Sequence, residues 1–422
     1  MKTHLILIVS LVLGITSVTV AQDTLKLSLR QAEKLFIAGN YQLIVQNYQI
    51  EEAKAEVITA KLFDNPEISY ENLFYNHETK RFLETSYATG QYSATIGQLI
   101  KLAGKRNKNI QLAHEAVKLS GFVYFDLMRS LRYELRSTFY KAFYTKQSGR
   151  IYQQQIAAME QLAKVAEKQL QLGNTSTKEL IRIRSLLYGL KTEYTLLLNE
   201  LGDLESQLRL LMNVKSNTSL VLSVSENEKQ LYQLQDLHYN AILDSAKLNR
   251  PDLQLAKTTI SYAEKKLTLQ KAMAVPDVEL SLSYDLKGNY PEKYTGIGIT
   301  IPIPLFNRNQ GEIKKARVAI TAGAVALKYQ ENLLENEVYN CYNTALRTEA
   351  TYQGIDAQFN GDFDQLIVEL FKNFQSRNIS LIEFLDLYEA YKENTLQLNN
   401  LRYERMNALE EINFVTGTSI FK

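Results

Sequence analysis

Ile301-Pro302-Ile303-Pro304-Leu305-Phe306-Asn307-Arg308-Asn309-Gln310-Gly311-Glu312-Ile313-Lys314-Lys315-Ala316 opens as a strand and closes as a helix. Ile297, Ile299, Ile301 and Ile303 alternate with Gly298, Thr300, Pro302 and Pro304. That period of two sends every second side chain to the same face of a sheet. Pro302 and Pro304 have no N–H to give a ladder, so they mark the strand's end or an exposed edge. Beyond Pro304 there is no further proline and the apolar spacing becomes helical. The joint is made twice. Ile100-Lys101-Leu102-Ala103-Gly104-Lys105-Arg106-Asn107, with Ile110 and Ala113, matches Ile303 through Gln310, with Ile313 and Ala316, at a constant offset of 203 residues.

Upstream of each joint the strands also match. Pro276-Asp277-Val278 corresponds to Pro66-Glu67-Ile68 at an offset of 210. Val278, Leu280, Leu282 and Tyr284 alternate with Asp277, Glu279, Ser281, Ser283 and Asp285. In the first copy a strand runs over Glu67–Glu71, with Phe74 and Tyr75 at its far end, and a second over Gln91–Ile100. Asn76 to Gly90 and Leu286 to Lys293 read as loops. Strands of about ten residues cross a bilayer when tilted. One face is apolar and aromatic and the other carries Asp, Glu, Ser, Thr and Gly, as expected for lipid outside and water inside. A soluble sheet packed on a core shows the same alternation, so both readings stand at this point. Tyr70, Tyr75, Tyr92, Tyr284, Tyr290 and Tyr294, near strand ends, suit an interfacial girdle.

The helices are long. One is expected from Ser28 to about Leu62, stopped by Asp64-Asn65-Pro66. No proline lies between Lys105 and Leu172, and at ~1.5 Å per residue such a helix reaches about 100 Å. Gly173-Asn174-Thr175 interrupts it. A return helix follows from Ser176, with Leu180, Ile183, Leu187, Leu190, Tyr194, Leu197, Leu201, Leu204, Leu208 and Leu211 at 3-4 spacing, a coiled-coil seam. Asn249-Arg250-Pro251-Asp252-Leu253 opens a helix that ends by Val275-Pro276. A second long helix of similar length follows the second joint, interrupted by Ser376-Arg377-Asn378-Ile379. Its return seam (Phe384, Leu387, Tyr391, Leu398, Leu401, Ala408, Ile412, Val415) is broken by Asn394 and Arg405. The chain thus divides into residues 1–21, a first structural repeat over 22–248 and a second over 249–422. Helices of this length cannot bury their seams in a compact monomer, so they pack side by side in a coiled-coil cylinder. Four strands cannot close a barrel, since single-chain barrels begin at eight, so several chains must contribute.

The 422 residues are 45% hydrophobic and 22% charged, with a net charge of +2. Nothing in that balance suggests nucleic acid. The one cysteine, Cys341, excludes an intramolecular disulfide framework and reads as a packing residue. Lys2, the apolar run Leu5–Leu13 and Thr19-Val20-Ala21 read as a secretory signal. No later stretch is long and apolar enough for a membrane helix, so entry into a membrane would be by strands. His4, His77, His114 and His238 show no metal-ligand spacing. No catalytic constellation or cofactor motif is found.

The joint Ile301–Ala316, Leu102-Ala103-Gly104-Lys105-Arg106 and Asn65-Pro66-Glu67, with the tips Gly173-Asn174-Thr175-Ser176 and Ser380-Leu381-Ile382-Glu383-Phe384-Leu385-Asp386, resemble the TolC-type outer-membrane efflux proteins of Gram-negative bacteria. The likeness is to members serving resistance-nodulation-division pumps, including the cobalt-zinc-cadmium type. The resemblance implies an α+β membrane protein and a homotrimer. Four strands per chain would make a twelve-stranded outer-membrane β-barrel, continuous with a periplasmic α-helical coiled-coil barrel. It implies a passive export duct for small molecules or metal ions, served by an inner-membrane pump and a periplasmic adaptor. A protein-secretion duct, and a periplasmic coiled-coil scaffold without channel activity, are the alternatives. The segment from Asn213 to Leu237, with the C-terminal end, would form part of a belt around the tunnel.

Ser176-Thr177-Lys178-Glu179 and Ser380-Leu381-Ile382-Glu383 both read as capping boxes. The resemblance adds that Glu383 and Asp386 align with acidic positions constricting the tunnel entrance. Their i, i+3 spacing puts both on one helix face. The first copy places Glu179 and Arg182 at the same points, so any ring is asymmetric. The tips Gly173, Asn174, Thr175 and Arg377, Asn378, Ser380 are the implied adaptor contacts, with Arg377 standing where the family often has glycine.

Overall fold

The computed structural model describes residues 24–225, 238–288, 291–355 and 368–421. The expected signal segment, Tyr290 and residues 226–237 of the expected belt segment lie outside them. In chain order the elements are β1 (Thr24–Ser28), α1 (Leu29–Gly39), α2 (Tyr41–Lys61), β2 (Glu67–Asn72), β3 (Tyr75–Asn76), β4 (Arg81–Phe82), β5 (Tyr92–Ile100), α3 (Lys105–Gln171), α4 (Thr177–Met212), β6 (Ser219–Ser223), α5 (Tyr239–Asn249), α6 (Pro251–Met273), β7 (Val278–Asp285), β8 (Tyr294–Thr300), α7 (Gln310–Gln353) and α8 (Leu381–Thr416).

β2, β5, β7 and β8 form one antiparallel sheet in that order. The helices behind it keep the same order: α2 lies against α3, α3 against α6 and α6 against α7. Further from the sheet, α4 packs on α3, and α8 lies between α3 and α7. The two copies therefore stand side by side and share a seam, β5 on β7 and α3 on α6. The slab has two free edges, β2 with α2 on one side and β8 with α7 on the other.

α3 has 67 residues, about 100 Å at 1.5 Å per residue. The expected α4 seam is real: Leu180, Ile183, Leu187, Leu190, Leu204, Leu208 and Leu211 are buried. Burying each of these side chains contributes roughly 1.5–3 kcal/mol. The surface pairs along the same contact, Arg184–Glu167 at 3.0 Å and Lys191–Glu160 at 2.6 Å, contribute about 0–1 kcal/mol each. The apolar seam therefore holds α3 to α4.

Several expectations are corrected. The helix from Ser28 breaks at Asn40, whose side chain accepts from Leu43 N–H (3.1 Å) and donates to Leu211 O (2.9 Å). Asn40 thus caps a second helix and ties it to α4. A helix not read from the sequence, α5, lies 210 residues after α1, as α6 does after α2. The strand before the second joint stops at Thr300, because Pro302 and Pro304 cannot extend the ladder. Among the described residues the second long helix covers 44 residues to Gln353, about 66 Å, and helix resumes over 368–375. Asn76–Gly90 is not plain loop. β3 and β4 pair there, and the Glu84 carboxylate accepts from the hydroxyls of Thr79, Ser86 and Thr89. Those hydroxyls hold Glu84 below the usual carboxylate range. β6, in the expected belt segment, pairs in parallel with β1.

The second return seam differs most. α8 buries Phe384, Tyr388, Lys392, Asn399, Arg405, Met406, Leu409, Ile412 and Val415, while Leu387, Tyr391 and Leu398 are only half-buried. Arg405, expected to break the seam, lies within it. Its Nε and Nη2 meet Glu349 of α7 at 2.6 and 3.2 Å, and its guanidinium lies 4.7 Å from the Tyr352 ring centroid. Lys392 meets Glu193 of α4 (3.2 Å) and Glu389 (2.8 Å), and Tyr152 of α3 donates to the same Glu193 at 3.1 Å. Burial, with the Glu193 charge, pushes the Tyr152 phenol up to about 12. Buried charges survive here because each is paired and hydrogen-bonded.

An ion-pair cluster in the second copy is tied to the first by Arg129. Arg250, 2% exposed, meets Asp252 and, at 2.5 Å, Glu337 of α7, while Arg129 of α3 lies 3.5 Å from Asp252. Burial opposes ionisation of Asp252, but its bonds to Arg250 outweigh this and hold the carboxyl below its ordinary value. Cys341 is buried in the α5–α8 core, as a packing residue.

Candidate functional site

The sheet has two chemically distinct faces. Ile68, Ile96, Leu282 and Ile297 stand opposite one another across all four strands, and all are exposed, Ile297 by 85% and Ile68 by 78%. Leu280 and Ile299 extend the patch toward the helices. Toward the far end Tyr70, Tyr92 and Tyr284 cluster, with ring centroids 6.1 and 6.2 Å apart. An apolar patch this continuous marks a contact with lipid or protein rather than water. On the other face lie Ser69, Thr95, Ser283 and Gly296 in one row and Glu67, Gly97, Ser281 and Gly298 in the next. Tyr294 belongs to this polar face, opposite Asp285, and its ring covers Gly296. It is therefore not part of the outward tyrosine girdle expected from the sequence. At the near end, Phe63 and Phe306 are exposed, and the Arg106 guanidinium lies 4.1 Å from the Phe63 ring centroid. Sequence reading missed this second aromatic level, since both residues fall outside the alternating strands.

The joints are tied down from two directions. Ala103 and Gly104 both take positive φ, 53° and 65°, as does Asn309 at 59°; a non-glycine residue in that region costs about 1–2 kcal/mol. At the first joint, Arg106 donates to Lys61 O (2.8 and 2.5 Å) at the end of α2. At the second, Asn309 Nδ2 donates to Gln270 O (2.8 Å) near the end of α6. The first joint is also held sideways. Asp277 Oδ1 accepts from Leu102 N–H (2.9 Å) and from Lys105 Nζ (2.7 Å), and Lys105 is only 4% exposed.

The two tips share a backbone design. Gly173 and Arg377 both adopt positive φ, 75° and 63°. Asn174 N–H and Asn378 N–H reach back to Gln169 O (2.8 Å) and Asn373 O (2.9 Å). The Ser176 and Ser380 hydroxyls each accept from the N–H three residues on, Glu179 and Glu383, at 3.2 Å. The reciprocal bond of a full capping box forms at Ser28–Gln31 but at neither tip; at the first, the Glu179 carboxylate takes the Thr175 hydroxyl instead. Arg377 Nη2 donates to Asn174 O at 2.6 Å, joining the tips. Glu179, Arg182, Glu383 and Asp386 are all exposed, and Asp386 and Arg182 lie about 160° around their helices from the buried Phe384 and Leu180. They face away from the packing seam and make no ion pair among the described residues.

Arg377→Gly should leave stability within about 0.5 kcal/mol of wild type. Relief of the left-handed backbone and loss of one exposed hydrogen bond nearly cancel. Amide exchange over 174–176 should accelerate about tenfold as the link between tips is lost. Unchanged exchange there would show that the Arg377 bond restrains nothing.

Residues 242–418 match the family model "Outer membrane efflux protein". The cobalt-zinc-cadmium resistance protein CzcC of Cupriavidus metallidurans is 20% identical over 290 residues, 69% of this chain and 66% of that protein, just under two thirds of its length. Among solved structures, CusC matches with a TM-score of 0.74 at 16% identity over 92% of each chain. The Campylobacter jejuni CmeC outer membrane channel matches with a TM-score of 0.72 at 15% identity, over 92% of this chain and 85% of that one. The second copy thus matches the outer membrane efflux protein model, and the chain shares its fold along nearly its whole length with these channels.

Proposed function

We propose that this protein is the outer-membrane channel of a tripartite efflux system, a passive duct rather than an enzyme. Three copies join β8 of one to β2 of the next and close a twelve-stranded barrel. The helices continue it as a periplasmic tunnel, and a periplasmic adaptor and an inner-membrane pump of the resistance-nodulation-division type dock at the tips around Gly173–Thr175 and Arg377–Ser380. The observation that carries this reading is the row Ile68, Ile96, Leu282, Ile297, exposed across every strand and backed by a small, acidic face. In a barrel the first faces lipid and the second lines water. Likeness to a cobalt-zinc-cadmium resistance protein favours metal cations as cargo, which suits a wall with four carboxylates and no basic residue on its strands.

Glu383 and Asp386, repeated in three copies, would place a negative ring at the tunnel's narrow end, with Arg182 and Glu179 between them. Such a ring concentrates cations and repels anions. Planar-bilayer conductance of the detergent-purified protein tests the proposal. Discrete cation-selective channels are expected, with Asp386→Lys lowering the cation-to-anion permeability ratio about threefold or more. A water-soluble particle without conductance would leave the scaffold reading in its place. Unchanged selectivity in Asp386→Lys would remove the ring while keeping the duct.

A further inference from the structure

We propose that Glu67 of each chain clasps Arg308 of the neighbouring copy, sealing the edge between protomers as Asp277 seals the seam within a chain; this rests on the channel reading above. Inside the chain, β5 exits beside the opening of β7. There Asp277 receives both Leu102 N–H and Lys105 Nζ. The same chemistry is laid out on the two free edges. Glu67 opens β2 as Asp277 opens β7, 210 residues apart, and Arg308 follows β8 as Lys105 follows β5, 203 residues apart. The tie back to the preceding helix is made in both copies, by Arg106 and by Asn309. The sideways tie is made only where a neighbouring strand exists within the chain.

Glu67 and Arg308 are both exposed, and neither side chain has a charged partner among the described residues. They carry opposite charges on opposite edges of one sheet, so they cannot meet within a chain. Three strand spacings of ~4.8 Å separate those edges by about 14 Å. A second copy added by the same antiparallel pairing brings Glu67 to Arg308 in the relation that Asp277 bears to Lys105. Two differences define the clasp. Leu305 N–H, the counterpart of Leu102 N–H, bonds to Ile303 O at 2.9 Å, so the clasp is between charged side chains alone. α7 also opens at Gln310, later than the repeat register places it, which leaves Arg308 ahead of its helix on the open edge. The long, forked guanidinium suits a carboxylate approached from there.

The test uses the full chain in detergent, with oligomer mass as its first readout. Glu67→Arg and Arg308→Glu should each speed trimer dissociation about tenfold. The double variant Glu67→Arg/Arg308→Glu should return it to within about twofold of wild type. As a second readout, Glu67→Cys/Arg308→Cys should on oxidation give a three-chain species on a denaturing gel. An intrachain bridge is excluded, because a disulfide needs Cα atoms within about 7 Å, and the native Cys341 is buried. A trimeric wild type whose double charge swap is additive and whose cysteines do not cross-link would overturn the clasp and leave the channel standing. A monomeric wild type would overturn both.

Discussion

Ile297→Arg should cost about 2–4 kcal/mol of folding free energy per chain in lipid, the penalty for a basic residue near the bilayer midplane on the outer face of a barrel. Ile297 lies midway along β8, 85% exposed and in line with Leu282. In a soluble sheet the same substitution at so exposed a position would change stability by less than about 0.5 kcal/mol. Denaturant titration of folding into lipid vesicles gives the number. Ser283→Arg, on the other face, serves as the control expected to be tolerated if that face is wet. A neutral Ile297→Arg would remove the lipid-facing role of the row.

Arg405→Ala should cost about 3–5 kcal/mol, because it strands the Glu349 carboxylate in a site from which water is excluded. Glu349 is 6% exposed and Arg405 8%, and the two are joined by two bonds. Replacing both partners with apolar residues of similar size, Arg405→Met/Glu349→Leu, should recover most of that loss. Helical circular dichroism followed through thermal unfolding measures both. A cost below about 1 kcal/mol for Arg405→Ala would show that water reaches the pair.

The doubled joint, the four strands and the α4 seam were legible because each is a local periodic pattern. Ile68, Ile96, Leu282 and Ile297 show the period of two by themselves, and the sequence lacked only their alignment into one row. What stayed hidden depended on partners distant in the chain. Arg405 looks like a break in a leucine seam until Glu349 is brought beside it, and Lys392, four residues from Tyr388 on the buried stripe, joins the seam only once Glu193 stands beside it. Asn40 is an unremarkable polar residue until Leu211 O requires a donor. Tyr294 was assigned to the girdle by its position near a strand end, whereas strand parity places it with Gly296 and Gly298. The acidic tip residues were legible as positions, while the missing reciprocal cap at Glu179 reflects Thr175 competing for its carboxylate.

The polar face of the sheet is built almost at backbone height. Ser69, Ser93, Thr95, Gly97, Ser281, Ser283, Gly296 and Gly298 barely rise above the strands, and Glu279 and Tyr294 lie down over Gly97 and Gly296. Apart from Leu99, the side chains that project are carboxylates or a hydroxyl. Such a wall is a smooth sleeve without stations. In the proposed duct a solute passing along it would meet water, a negative bias and little apolar surface, so transit along the sheet would be close to free diffusion. In that duct, dwell time would be set at the helical end proposed to narrow it rather than along the sheet.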